Sequence, residues 1–154
     1  MPLKLNITRE VILEHALNLI KEHGTDKLNA RSLAAHIGYS TQPIFSIYKS
    51  MGELWDDIAK KAEAIYSEFV EKVLAGGEFP AKIAQNAAHV KFAYAEGALF
   101  KLLFVERADK ALQKLYSSAK SKAAFAAAHG LAMICLSSKD AWNKDTVRIL
   151  EGIV

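Results

Sequence analysis

Apolar residues recur every three or four positions along almost the whole chain, and no stretch alternates with a period of two. A period near 3.6 gathers such residues on one face of an α-helix, whereas a half-buried strand needs strict alternation. The fold class is therefore expected to be all-α. At 154 residues and 51% hydrophobic, the chain can bury a core without disulfides, and its single cysteine, Cys135, offers none within one chain.

The punctuation between the helical stretches is more specific than their period. Ile12, Ala16, Leu19 and Ile20 mark a first helix, with Thr8 as its N-cap and Gly24 as its stop. Asn29 can cap a short second helix that turns Leu33, Ala34 and Ile37 inward and ends at Gly38. Only Gly38 and Tyr39 then precede Ser40, read as the N-cap of a third short helix through Ile44, Phe45, Ile47 and Tyr48, with Pro43 in its first turn. Two short helices joined by a tight glycine turn behind a longer one is the helix-turn-helix arrangement.

Beyond Gly52, a long amphipathic helix carries Leu54, Ile58, Ala62, Ile65, Phe69 and Val73 and should end at Gly76-Gly77. Pro80 restarts a helix with Ile83, Ala87, Val90 and Tyr94, which Gly97 interrupts, and shorter helices should fill residues 98–118. Residues 123–136 are apolar nearly all round and so need cover on more than one side. A last helix, starting between Ser138 and Asp145, should bury Val147, Leu150 and Ile153. Two domains are expected, residues 1–50 with the helix-turn-helix and residues 51–154 for ligand binding and dimerisation.

The first third of the chain resembles the DNA-binding domain of the tetracycline-repressor (TetR) family of transcriptional regulators. The resemblance lies in Arg9, Ile12, Ala16, Leu19 and Gly24, then Leu33, Ala34 and Gly38, then Ser40, Ile44, Phe45, Tyr48, Ser50, Glu53 and Leu54. The strings Tyr39-Ser40-Thr41-Gln42-Pro43-Ile44-Phe45 and Lys49-Ser50-Met51-Gly52-Glu53-Leu54 look like one branch of that family, and His129-Gly130-Leu131-Ala132 is similar to its penultimate helix. The resemblance implies a repressor that binds a near-palindromic double-stranded DNA operator as a homodimer and releases it when a small molecule enters the second domain. It also implies two departures, since the family usually has tyrosine where Phe45 stands and lysine where Met51 stands.

In such a motif the N-terminal residues of the second short helix meet base edges in the major groove. Here these are Thr41 and Gln42, with Ser40 at the helix start and Ser46 one turn on. Gln42 can pair both amide groups with adenine, and Thr41 offers a methyl or a hydroxyl. Phosphate contacts are expected from Arg31, Tyr48 and Lys49, and Lys4 can add an N-terminal arm. The net charge of +3 is only mildly basic, so pattern rather than charge carries the nucleic-acid reading.

In the second half, Tyr66, Phe69, Phe92, Tyr94, Phe100 and Phe104 are the candidate lining of a pocket for a small apolar ligand. The homodimer is expected through residues 122–137 and the last helix. There Ala123, Ala124, Ala126, Ala127, Ala128, Gly130 and Ala132 allow close approach, while Phe125, Leu131, Ile134 and Leu136 supply area. The five histidines, His15, His23, His36, His89 and His129, share no metal-ligand spacing, and no cofactor is implied. No phosphate loop or paired nucleophile and base points to an enzyme. An N-terminus without a secretory apolar stretch, and an apolar run too short to span a bilayer, lead to a cytoplasmic, membrane-free expectation. The rival reading is a helical interaction protein that has kept the fold and lost DNA binding.

Overall fold

The structure, a computed structural model, describes residues 6–138 and 141–153. It is all-helical, with no strand among the described residues. The helices are α1 (Arg9–His23), α2 (Ala30–Ile37), α3 (Gln42–Ile47), α4 (Met51–Gly76), α5 (Ala84–Ala95), α6 (Gly97–Lys101), α7 (Ala108–Ser118), α8 (Lys122–Ser137) and α9 (Lys144–Ile153). A 3₁₀ turn at Thr25–Lys27 links α1 to α2, and a π-helical turn at Leu102–Glu106 continues α6. No described helix is long and apolar enough to cross a membrane.

The chain divides into two compact units, residues 1–61 and 62–154. The division falls inside α4 rather than at residue 50. Leu54 and Ile58, on the first turns of α4, are fully buried and belong to the first unit, whose core also holds Ile12, Ala16, Ile20, Leu33 and Ile44. A domain cut before α4 would remove two of these core side chains.

Caps define the short helices of the first unit. The Thr8 hydroxyl accepts from the Val11 amide at 3.3 Å. At α2, the Asn29 side chain accepts from the amides of Arg31 and Ser32 at 3.0 Å each, and Ser32 Oγ accepts from the Asn29 amide, closing a capping box. Gly38, at φ +85°, ends α2 in the left-handed region. Its amide reaches the carbonyls of Ala34 and Ala35, and the Tyr39 amide reaches Ala34, which is the paired bonding of a Schellman motif.

Ser40 is not the N-cap of α3. The helix begins at Gln42 after Thr41, with no side-chain cap bond. A Ser40 cap would leave Pro43 as the third helical residue, where a capping oxygen looks for an N–H that proline lacks. Starting one residue later puts Pro43 at the second position, where no N–H is needed.

In the second unit, α5 lies along α8, and α6, α7 and α9 pack around this pair. Ala84, Ala87, Ala88, His89, Val90, Phe92 and Ala93 of α5 are buried, so this helix is enclosed on most sides. The interruption expected at Gly97 falls at Glu96, and Gly97 opens α6. A β-carbon on Gly97 would sit 3.3 Å from Leu136 Cδ2, so the absence of a side chain lets α6 approach α8 closely. In α8, Ala124, Phe125, Ala128, Ala132 and Cys135 are buried, whereas Met133 and Ile134 are exposed. On α9, Thr146 and Leu150 are buried and Val147 and Ile153 are half-buried.

Candidate functional site

Most of the residues singled out for DNA are exposed in the first unit. Arg31 is the second residue of α2 and Gln42 the first of α3, both exposed; Ser40, Ser46 and Lys49 are also exposed, with Thr41 half-buried. The Gln42 side chain makes no hydrogen bond to another described residue, so its carboxamide is available. Ser46 is partly committed, its hydroxyl donating to the Pro43 carbonyl at 2.7 Å. Phe45 is 48% exposed on the same short helix. Lys4 lies outside the described residues.

Tyr48 is not on that surface. Its ring is fully buried, and its hydroxyl donates to Asp57 Oδ2 at 3.2 Å. A phosphate cannot reach a side chain enclosed in this way, so the expected Tyr48 contact is replaced by a structural one. The Arg9 guanidinium lies over the ring at 4.5 Å from its centroid and donates to Asp57 at 2.6 Å and to Glu53 at 3.0 Å. Glu53 in turn accepts from the Lys49 backbone amide at 2.9 Å, and Ser50 Oγ accepts from the Glu53 amide at 3.2 Å.

These bonds tie the start of α1 and the start of α4 to the end of α3. The electrostatics follow from the geometry. The Arg9 hydrogen bond holds the Asp57 carboxyl below its usual range, and the Lys49 amide together with Arg9 does the same for Glu53. Burial, helped by the Asp57 charge, pushes the Tyr48 phenol up to about 12. The hydroxyl therefore stays protonated as a donor.

Also in the first unit, His15 Nδ1 and His36 Nδ1 stand 3.0 Å apart, joining α1 to α2. One ring donates to the other.

In the second unit the aromatic residues are a packed cluster rather than the wall of an open pocket. Tyr66 meets Phe92 and Phe104 edge to face, Phe69 meets Phe92, and Phe100 meets Phe104, with centroids 4.9–5.3 Å apart. Phe92, Phe100 and Phe104 are buried, so they supply core area rather than ligand surface. Tyr94 is 47% exposed, because α5 turns almost every other side inward and leaves it on the outer one.

A cavity of about 330 Å³ does exist beside that cluster, and of the six aromatics only Tyr66 lines it. At its buried end, Tyr66 Oη and His89 Nδ1 are 3.0 Å apart, and His89 Nε2 and His129 Nδ1 are 3.1 Å apart. This makes a polar chain from α4 through α5 to α8. Burial and the neighbouring His129 push the His89 pKa down to about 3, so its ring is neutral. The histidine positions gave no sign of these pairs, because the partners lie 21 and 40 residues apart and no local spacing reports such a contact. Among the described residues no group of three or more histidine, cysteine or acidic side chains is placed to hold a metal. Burial pushes the Cys135 thiol up, away from a reactive thiolate.

Compared with family models, with curated proteins and with solved structures, the chain matches none.

Proposed function

We propose that the protein is a sequence-specific DNA-binding transcriptional regulator of the TetR type, a repressor acting as a homodimer and released by a small molecule. The observation that carries the reading is the pair α2 and α3, joined by a Schellman turn, with the unengaged Gln42 amide at the exposed start of α3. A short helix that offers a bidentate amide at its N-terminus suits adenine in the major groove. Arg31 and Lys49, both exposed, are the candidate cations for phosphate. The Arg9, Tyr48, Asp57 and Glu53 network supports this role by fixing the C-terminal end of α3. A reading helix must be held rigidly to convert one lost hydrogen bond into lost specificity.

The exposed Phe45 suits a thymine methyl in this reading. It also favours a second reading, a helical interaction protein in which the same exposed aromatic docks a protein partner.

A gel shift with duplex DNA separates the two. Gln42→Ala should cost about 1–3 kcal/mol on the preferred sequence and relax one base position. Lys49→Ala should weaken all duplexes alike and lower the salt slope by about 1. Equal loss on preferred and random duplex for Gln42→Ala removes its reading role, and no shift with any duplex favours the interaction protein.

A further inference from the structure

The cavity of the second unit combines three features that together select a ligand. Its volume of about 330 Å³ is at the lower end of the roughly 300–1,000 Å³ typical of small-molecule sites, so the occupant is small. Its lining contains two cations, Lys82 and Lys120, both exposed, and no carboxylate. Leu115, Ala124 and Phe125 give it an apolar wall.

Its buried end is polar but uncharged. A neutral imidazole has one N–H, so the chain Tyr66, His89, His129 runs in one direction at a time. Either the Tyr66 hydroxyl donates to His89, leaving its lone pairs to accept, or His89 donates to Tyr66 and frees the phenolic proton to donate. The Tyr66 hydroxyl can thus meet an uncharged donor or acceptor by a shift of tautomer, without placing a charge in the core.

We infer that this cavity is the effector site and that its ligand is a small aromatic acid with a second, uncharged polar group. The carboxylate lies toward Lys82 and Lys120, the ring against Leu115, Ala124 and Phe125, and the uncharged group against the Tyr66 hydroxyl. From the regulator reading the inference takes only that the second unit holds an effector. The lysine pair disfavours a cation of the same shape, because like charges are brought together.

The test is titration calorimetry on the full chain without DNA, using three molecules of one shape. These are 4-hydroxyphenylacetate, the neutral alcohol tyrosol and the cation tyramine, with phenylacetate as the version lacking the phenol. The acid should bind about tenfold more tightly than tyrosol, and tyramine should give no heat. Lys82→Ala combined with Lys120→Ala should bring the acid down to the tyrosol level while leaving tyrosol unchanged. Tyr66→Phe should bring 4-hydroxyphenylacetate down to the phenylacetate level. Gln85→Trp, an exposed lining position, should block all of them without touching the core. Circular dichroism melts check that each variant folds.

Tyramine binding as well as the acid overturns the inference, as does an acid affinity unmoved by the double lysine change. Absence of heat with every acid at millimolar concentration overturns it too. Because the titration contains no DNA, the two readings fail separately. Acid binding in a chain that binds no duplex sinks the regulator and keeps the site; duplex binding with no acid bound sinks the site and keeps the regulator.

Discussion

Tyr48 changes meaning most between chain and fold. The helix-turn-helix reading makes it a phosphate contact, but its ring fills the first unit's core and its hydroxyl meets Asp57. Tyr48→Phe should therefore cost about 1 kcal/mol in urea unfolding, the worth of a lost hydrogen bond. It should leave the salt slope of DNA binding unchanged, which a phosphate contact would not do. Glu53 and Asp57 are held below the usual carboxylate range, so their contribution is present above that range and is lost as pH falls through their folded values. His89 works over a different window. In the unfolded chain it takes up a proton below about pH 6.5, whereas the buried ring resists protonation down to about pH 3. The second unit should lose stability as pH drops through that interval, and urea midpoints measured across it should fall less steeply for His89→Gln. None of this could be read in advance, because nothing near residue 89 in sequence says that Tyr66 and His129 will enclose it.

At the scale of elements, what could be read from the sequence was whatever is set locally. Thr8, Asn29, Gly24 and Gly38 act within a few residues of themselves, and each ends or begins a helix where its chemistry requires. The start of α3 is less legible, because Ser40 is a good cap in isolation and the missing amide of Pro43 decides against it. The facing of α5 is not legible either: Ile83, Ala87, Val90 and Tyr94 share a helical spacing, yet in a helix buried on most sides the first three are enclosed and Tyr94 is left outside. Gly38 offers an element-scale test. A β-carbon there would meet no atom within 4 Å, so Gly38→Ala pays only for the left-handed backbone, about 1–2 kcal/mol. Thermal unfolding should show that loss, and the turn between α2 and α3 should loosen, with DNA affinity falling alongside stability.

For the whole molecule, binding to an inverted-repeat operator requires a second copy of the chain. Along α8, Ala124, Ala128 and Ala132 are taken up by the chain's own core, so the close-approach stripe read from the sequence is partly spent within one subunit. The opposite side carries Ala126, Gly130, Met133 and Ile134, exposed, and α9 adds exposed Ile149. That side is the proposed dimer face, since the same patch can pack on itself about a two-fold axis. Ile134→Glu should give folded monomers in light scattering, because Ile134 is 58% exposed and its loss leaves the core intact. Ala128→Glu, at a fully buried position, should instead unfold the second unit. The proposed dimer would present two copies of α3 about one helical turn of DNA apart. Selection of bound sequences from random duplex DNA tests this most directly. The expected outcome is enrichment of an inverted repeat whose half-sites lose one preferred base when Gln42→Ala replaces the unmodified protein. A pool that stays random after repeated rounds at physiological salt would contradict it.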